Sequence, residues 1–209
     1  SKNFGSNLLL PKEDSPWIVA EADEFDRSFL HLKPQIAVVT SADADHLDIY
    51  GKTERMIESF EKFISQIKDG GMLIIKKGVA INTETTDARV YTYSLNDSTA
   101  DFYADNLRLT SLGGSYIFNL HTPERMINDC QMSYPGIINV ENAVAASAAA
   151  LLAGVDAENI KSGLEDYMGV IRRFDVRFRN QNYLYIDDYA HHPEELKAVI
   201  TSVQALYPG

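Results

Sequence analysis

Two acidic clusters follow apolar stretches in the first quarter of the sequence. Glu21-Ala22-Asp23-Glu24 comes directly after the apolar residues 17–20, and Asp43-Ala44-Asp45-His46-Leu47-Asp48 comes shortly after Ile36–Val39. Carboxylates at the carboxyl end of a buried parallel strand lie where open α/β sheets bind ligands. Oxygen ligands suit Mg²⁺, and an imidazole among carboxylates adds acid–base capacity. The spacing indicates a metal or acid–base site, with solvated acidic loops as the alternative.

Three further clusters have side chains that bind nucleotides. Asn139 and Asn142 open an Ala-rich helix, where they either cap the helix or recognise a purine edge, since an amide offers a donor and an acceptor together. Arg172-Arg173-Phe174-Asp175 presents guanidinium groups that suit phosphate oxygens, with a surface charge pair as the alternative. Residues 187–193 contain Asp188, Tyr189 and His191 at a strand-to-helix junction, where anions bind.

These clusters need a sheet to position them, and the sequence predicts an α/β fold with a mostly parallel sheet flanked by helices. Short apolar runs without alternation are typical of strands buried on both faces, and they occupy residues 17–20, 36–39 and 72–75. A helix is predicted between the second and third runs. Its apolar residues recur at helical spacing from Met56 to Ile67, and Gly70-Gly71 ends it.

The sequence pattern in the middle of the chain predicts antiparallel strands with one face exposed to solvent. Its apolar side chains alternate with polar ones, as in Tyr91, Tyr93, Leu107, Leu109, Tyr116, Phe118 and Leu120. Helices are then predicted over residues 142–153 and after Asp156, which suits an N-cap. Residues 183–186 predict a strand, and Pro193 suits the first position of a last helix. We therefore expect one domain over residues 1–170, a linker over 171–182, and the first strand–helix unit of a second α/β domain over 183–209.

The composition argues against several classes of function. The 209 residues carry 30 Asp and Glu against 19 Lys and Arg, a net charge of −11, which disfavours bulk attraction to nucleic acid or anionic membranes. The lone Cys130 cannot form an internal disulfide, which suits a reducing compartment. No apolar run approaches the length of a membrane span. We expect a cytoplasmic protein that acts on small molecules, without a nucleic-acid or membrane partner.

The five clusters, in this order, resemble the motifs of the Mur ligases, the ATP-dependent amide ligases of peptidoglycan synthesis. The branch that joins L-alanine to UDP-N-acetylmuramate is the most similar, because of Asp45-His46-Leu47-Asp48-Ile49-Tyr50. The resemblance implies ATP and Mg²⁺ as cofactors. The matching stretches are residues 21–32, 43–48, 139–142, 172–175 and 187–193.

The resemblance also implies a two-step reaction and a set of residue roles. ATP phosphorylates the carboxylate of UDP-N-acetylmuramate, and the amine of L-alanine then attacks the acyl phosphate to give the amide, ADP and phosphate. Glu21 and His46 would bind Mg²⁺ and, with Arg173, would be the catalytic residues. The other implied contacts are Asn139 and Asn142 to adenine, Arg173 to the phosphates, Asp188 to the ribose side of ATP, and Tyr189 and His191 near the amino acid.

One motif of the family is missing from this sequence. No G-x-x-x-x-G-K-[ST] phosphate loop occurs, since Gly51-Lys52-Thr53 lacks the first glycine. By the resemblance, we expect a central domain without its P-loop portion, with the domain that binds UDP and most of the C-terminal domain also absent, so the isolated chain should be inactive. The alternatives are a murein-tripeptide recycling ligase of the same family, a non-catalytic α/β module, and a metal-dependent hydrolase built on Glu21, Asp45, His46 and the His191-His192 pair.

Overall fold

The structure is a computed structural model that describes residues 1–10, 15–42, 50, 52–110, 114–191 and 193–207. Within these ranges the chain forms four α-helices and eight strands in two sheets. The helices are α1 (Thr53–Ile64), α2 (Ile137–Leu152), α3 (Ala157–Glu165) and α4 (Pro193–Leu206). The strands are β1 (Ile36–Val39), β2 (Met72–Lys76), β3 (Arg89–Ser94), β4 (Phe102–Leu109), β5 (Tyr116–His121), β6 (Met126–Met132), β7 (Asp175–Arg179) and β8 (Leu184–Asp187).

The larger sheet has the order β1-β2-β3-β4-β5-β6. Strands β1 to β4 run parallel, and β5 and β6 are antiparallel to their neighbours. The prediction of antiparallel strands is confirmed for β5 and β6 but wrong for β3, where Tyr91 pairs with Ile74 in a parallel register. Alternating apolar residues report that one face of a strand is buried, and they do not report its direction. The neighbouring strand sets the direction.

Helices cover both faces of the sheet, so the predicted α/β class is confirmed. Leu73 and Ile75 of β2 belong to one core with the apolar face of α1. Ile74, between them, belongs to a second core that includes α2 and α3. Because neighbouring side chains of a strand point to opposite faces, an uninterrupted apolar run is what a strand between two helical layers requires.

The predicted strand over residues 17–20 is wrong. These residues have no regular secondary structure, and Ile18 and Val19 are 83% and 97% exposed. A short apolar run becomes a strand only where a neighbouring strand supplies hydrogen bonds to its backbone. In the described ranges β1 is the edge of the sheet and pairs with β2 alone.

The helices that follow the larger sheet are close to their predicted places. Helix α2 begins five residues earlier than expected, at Ile137, directly after Gly136 with φ 99°. The side chain of Asp156 accepts a hydrogen bond from Asn159 N at 2.9 Å, which confirms the predicted cap of α3. Helix α4 begins at Pro193, as the sequence predicts. None of the described helices is long and apolar enough to cross a membrane.

The carboxyl-terminal part packs against the rest of the chain. Strand β7 lies inside the segment predicted to be a linker and pairs with β8, the predicted strand, as an antiparallel pair. Side chains of α4, including Val199, Val203 and Leu206, lie on the core formed with α2 and α3. The boundary between predicted domains is therefore bridged by a hairpin and by apolar contacts.

Candidate functional site

The acidic loop (residues 21–26) is an exposed loop before a 3₁₀ turn at Ser28–His31. Asp23 Oδ1 accepts from Phe25 N at 3.0 Å, and Asp26 Oδ1 accepts from Ser28 N at 2.9 Å. Hydrogen bonds from Ser28 hold the pKa of Asp26 below its ordinary value. These two carboxylates shape the turn, while Glu21 is exposed at its start. Glu21 is thus accessible to a cation, as the metal prediction requires.

The second acidic cluster, with Asp43, Asp45, His46 and Asp48, lies outside the described residues, so the structure does not test its role. Tyr50, two positions after this cluster, does lie within the described residues. Tyr50 is completely buried, and its hydroxyl donates to Glu24 O at 2.6 Å. The Arg27 guanidinium lies over the Tyr50 ring, 4.9 Å from its centroid. Tyr50 therefore contacts the acidic loop. Among the described residues alone, no group of three or more His, Cys, Asp and Glu side chains is arranged to hold a metal ion.

The two asparagines lie inside helix α2, so the capping interpretation is wrong. Gly136 is the N-cap residue, and it has no side chain that could cap the helix. Asn139 Nδ2 donates instead to Pro135 O at 2.6 Å, which braces the turn before the helix. Asn142, one turn further on, is exposed. Its amide is thus accessible for the predicted recognition of a purine edge.

A groove of about 370 Å³ separates α2 from α3, and we call it the α2–α3 groove. Asn142 lies on it together with small residues such as Ala146 and Gly163. Ser147 also lines the groove, is 3% exposed, and has a hydroxyl without a hydrogen-bond partner among the described residues. A buried hydroxyl is normally paired, and a helical serine usually bonds to the carbonyl four residues earlier. The Ser147 oxygen is thus a buried, unpartnered polar atom in a residue that lines the groove, within the described part of the chain. Sequence reasoning missed it, and the one signal was a single polar residue in an alanine run.

An ion pair links the end of the parallel sheet to the start of α2. Lys76, the last residue of β2, donates from Nζ to Glu141 Oε2 at 2.7 Å. Burial, and then the nearby charge of Glu141, raise the pKa of Tyr93 well above its ordinary value. This pair fixes the amino end of α2 over the carboxyl end of β2, where α/β sheets bind their ligands.

Arg173 lies on an exposed turn between α3 and β7. Its guanidinium is 3.3 Å from Glu195 Oε1, and its side chain is 53% exposed. Asp188 braces the same turn, since Oδ2 accepts from Phe174 N at 2.6 Å and Oδ1 accepts from Ala190 N at 2.7 Å. Both oxygens of Asp188 therefore already accept backbone hydrogen bonds.

Tyr189 and His191 follow directly and are exposed. Their rings meet edge to face with centroids 5.1 Å apart, and His191 Nδ1 lies 3.0 Å from Tyr189 O. The Arg172 guanidinium covers the Tyr189 ring at 4.7 Å. His192 lies outside the described residues.

The structure joins most of the predicted nucleotide contacts at one place. A Cβ at Gly136 would lie 3.1 Å from Asn139 Nδ2 and 3.8 Å from the Phe174 ring, so the start of α2 and the Arg173 turn are adjacent. Asp188 is bonded to that turn. The acidic loop is joined to Tyr50 instead. The Asn139 amide, the turn that carries Arg173 and the Asp188 carboxylate that bonds to this turn thus lie near the start of α2. Residues of these types suit a nucleotide.

Comparison with solved structures defines the class of fold. The chain matches a UDP-N-acetylmuramate-alanine ligase, MurC, from Thermotoga maritima with a TM-score of 0.75, at 23% identity over 90% of this chain and 42% of that one. It matches MurF from Acinetobacter baumannii with a TM-score of 0.70, at 26% identity over 84% of this chain and 38% of that one. The fold is that of the Mur-type ligases.

Sequence comparison then identifies the family. Residues 8–150 match the Mur ligase middle domain, and the chain belongs to the Mur ligase family. It is 48% identical over all 209 residues to a UDP-N-acetylmuramate–L-alanine ligase of Parabacteroides distasonis. A ligase of the same name from Phocaeicola vulgatus is 45% identical over 208 residues. The chain spans about 44% of the length of these relatives.

Proposed function

We propose that this chain is part of a cytoplasmic ligase that uses ATP to join L-alanine to UDP-N-acetylmuramate. The observation that carries the proposal is the 48% identity over the whole chain to a ligase of that name. The adjacent asparagine, arginine and aspartate groups support a nucleotide site. The free, buried Cys130 and the net charge of −11 agree with a cytoplasmic enzyme that acts on small molecules.

The α2–α3 groove suits the base of ATP. Asn142 offers a donor and an acceptor to one purine edge, and the unpartnered Ser147 hydroxyl offers a further hydrogen bond. Small side chains such as Ala146 and Gly163 leave room for a flat ring. We assign adenine recognition to this end of the site, with Asn139 bracing the start of α2.

Arg173 would bind the phosphates of ATP. To do so it must exchange its exposed contact with Glu195 for phosphate oxygens, and an exposed pair of this kind is worth only about 0–1 kcal/mol. A guanidinium at the transferred phosphoryl group stabilises charge that develops during formation of the acyl phosphate. We place Asp188 on the ribose side of ATP, and Tyr189 and His191 near the incoming amino acid.

The exposed carboxylate of Glu21 fits a magnesium ligand, and His46 is the second residue we assign to this role. When bound, Mg²⁺ would offset phosphate charge. The carboxylate of UDP-N-acetylmuramate takes the γ-phosphoryl group and ADP leaves. The amine of L-alanine then attacks the acyl carbon, loses a proton and expels phosphate.

The test is a chimera that carries residues 1–209 in place of the equivalent stretch of the Parabacteroides distasonis ligase. We expect release of ADP that requires ATP, UDP-N-acetylmuramate and L-alanine together. Arg173→Ala and His46→Ala should each lower kcat/KM by about 10²–10³-fold, as loss of a charge-stabilising group does. Arg108→Ala, which removes a comparably exposed arginine paired with Asp129, is the matched control and should leave activity unchanged.

Three outcomes of this assay would contradict the proposal. One is a folded chimera, judged by circular dichroism, that does not release ADP. Another is a chimera that ligates a murein tripeptide, but not L-alanine, to UDP-N-acetylmuramate. The third is full activity in the unmodified 209-residue chain, which we expect to be inactive because its sequence holds no G-x-x-x-x-G-K-[ST] loop.

A further inference from the structure

The turn that carries Arg173 has an unusual backbone conformation. Arg172 and Phe174, on either side of it, have φ of 60° and 48°. Residues of these types rarely adopt positive φ, and they keep it only where the surrounding structure determines it. The Phe174 side chain is 2% exposed, so the turn is anchored on one side while the Arg173 side chain faces solvent. Contacts around the turn must therefore hold this backbone conformation, from which the Arg173 side chain extends.

Tyr134 supplies one of these contacts from beneath the turn. Its hydroxyl lies 2.8 Å from Arg173 O and 3.2 Å from Phe174 O. Its ring lies so close to Gly169 that a Cβ at that position would overlap it, which fixes the ring. Burial raises the pKa of Tyr134, so the hydroxyl keeps its proton and acts as a donor at neutral pH.

Lys2 and Asp175 orient that hydroxyl. Lys2 Nζ donates to the Tyr134 oxygen at 3.2 Å and to Asp175 Oδ1 at 2.6 Å. Because an ammonium group has no acceptor, the tyrosine proton must point elsewhere, and the Arg173 carbonyl is the nearer acceptor. The other Asp175 oxygen accepts from Arg172 N at 3.3 Å and lies 3.1 Å from Arg177 Nε. The Asp175 carboxylate therefore links Lys2 to Arg172 and Arg177, which lie on either side of the turn.

We propose that Lys2, Tyr134 and Asp175 are positioning residues that fix the Arg173 turn and so hold its guanidinium toward the phosphates of the nucleotide. This inference rests on the proposed function, because it assumes that Arg173 binds phosphate. Tyr134 and Asp175 contact the backbone of the turn, and Lys2 contacts those two side chains.

The experiment compares Tyr134→Phe with Tyr116→Phe in the chimera described above. Tyr116 is also a mostly buried tyrosine, and its hydroxyl makes no hydrogen bond within the described residues, so it controls for loss of a tyrosine hydroxyl that positions no other group. Tyr134→Phe should lower kcat/KM for ATP about tenfold, the effect of losing one positioned hydrogen bond. Tyr116→Phe should change it less than twofold. In an Arg173→Ala background, Tyr134→Phe should cause no further loss, because the group that it positions is gone.

A second pair of variants tests the same role without changing the tyrosine. Lys2→Met should reproduce the effect of Tyr134→Phe, and Lys2→Arg should restore most of the activity. In the 209-residue chain itself, amide hydrogen exchange of Phe174 and Tyr189 should be about tenfold faster in Tyr134→Phe than in Tyr116→Phe, as expected for loss of one hydrogen bond.

The outcomes separate this inference from the proposed function. If Arg173→Ala retains full activity, the assigned role of Arg173 is wrong. If Arg173→Ala is impaired but Tyr134→Phe and Lys2→Met match the control, the positioning role is wrong. The positioning role is also wrong if Tyr134→Phe causes the same loss with and without Arg173.

Discussion

At the scale of single residues, Asp175 shows how one buried carboxylate depends on its partners. It is 2% exposed, and cations lie 2.6 and 3.1 Å from its two oxygens. The hydrogen bond from Lys2 is the main reason why the pKa of Asp175 lies below its ordinary value. Partial burial by itself lowers the pKa of Lys2. The hydrogen bonds to Asp175 and Tyr134 raise it, and the pKa lies above its ordinary value. Each group therefore favours the charged form of the other.

This arrangement predicts acid-dependent stability. A depressed carboxylate pKa contributes stability that is present above the unfolded value, about pH 4, and is lost as pH falls through the folded value. Asp175→Asn should therefore lower the free energy of unfolding at pH 7 by about 2 kcal/mol, from loss of charged hydrogen bonds. Its stability should also fall less steeply below pH 4 than that of the original chain. Urea unfolding from pH 7 to pH 3 measures both effects, with the exposed Asp69→Asn as the control. Equal acid dependence in the two variants would refute the prediction.

At the scale of elements, helix α2 combines a stable scaffold with one unfavourable side chain. Its alanines have the highest helix propensity, while the Ser147 hydroxyl is buried and has no hydrogen-bond partner in the part of the chain that the structure describes. A buried polar group left unpaired costs roughly 1–3 kcal/mol. Residues that lower stability and yet line a groove are candidates for ligand contacts, as proposed above for the base of ATP.

Ser147→Ala should consequently stabilise the free chain by about 1 kcal/mol, because it removes an unpaired hydroxyl and improves helix propensity. In the chimera, the same change should raise the KM for ATP severalfold. The matched control is Ser202→Ala in α4, where an equally buried hydroxyl donates to Ala198 O at 2.7 Å, so the variant should be neutral or destabilised. Thermal unfolding and ATP kinetics measure the two effects. A destabilised Ser147→Ala variant would contradict this account of α2.

The elements also show what the sequence could predict. Strand β2 and the cap of α3 were predictable, because an uninterrupted apolar run and an Asp N-cap are local signals. The direction of β3 and the lack of regular structure at residues 17–20 could not be predicted, since both depend on which strand lies alongside. Asn139 and Asn142 were placed at the correct end of α2, but the preceding Gly136 begins the helix.

In the candidate site, too, local motifs could be predicted from the sequence, and contacts from distant segments could not. The Arg173 motif was recognisable from residue types that suit phosphate, whereas the ribose role of Asp188 was implied only by the family resemblance. The contacts that hold them were not recognisable, because Lys2 and Tyr134 come from segments more than 30 residues away and carry no local motif. Ser147 was missed because a single serine in an alanine run is a weak signal, and its lack of a hydrogen-bond partner among the described residues is seen only in the structure.

At the scale of the whole molecule, hydrogen bonds and apolar contacts cross the predicted domain boundary near residue 170. The Tyr134 hydroxyl lies 2.8 Å from Arg173 O, and Lys2 Nζ donates to Asp175 Oδ1 at 2.6 Å. Val199 and Val203 of α4 pack on the core that holds α2 and β5. Apolar contacts and hydrogen bonds across the hairpin should make the segment after β8 unfold together with the larger sheet.

This coupling predicts a single unfolding transition. Val203→Ala should lower the free energy of unfolding by about 1 kcal/mol, through loss of buried methyl groups. The loss should be the same whether measured from the amides of α4 or from those of Phe118 in β5, because both report one cooperative unit. Native-state hydrogen exchange makes the comparison, with the exposed Thr201→Ala of α4 as the control. If only the α4 amides responded to Val203→Ala, the hairpin and α4 would unfold separately, and the Arg173 turn would lie at a hinge between two independent units.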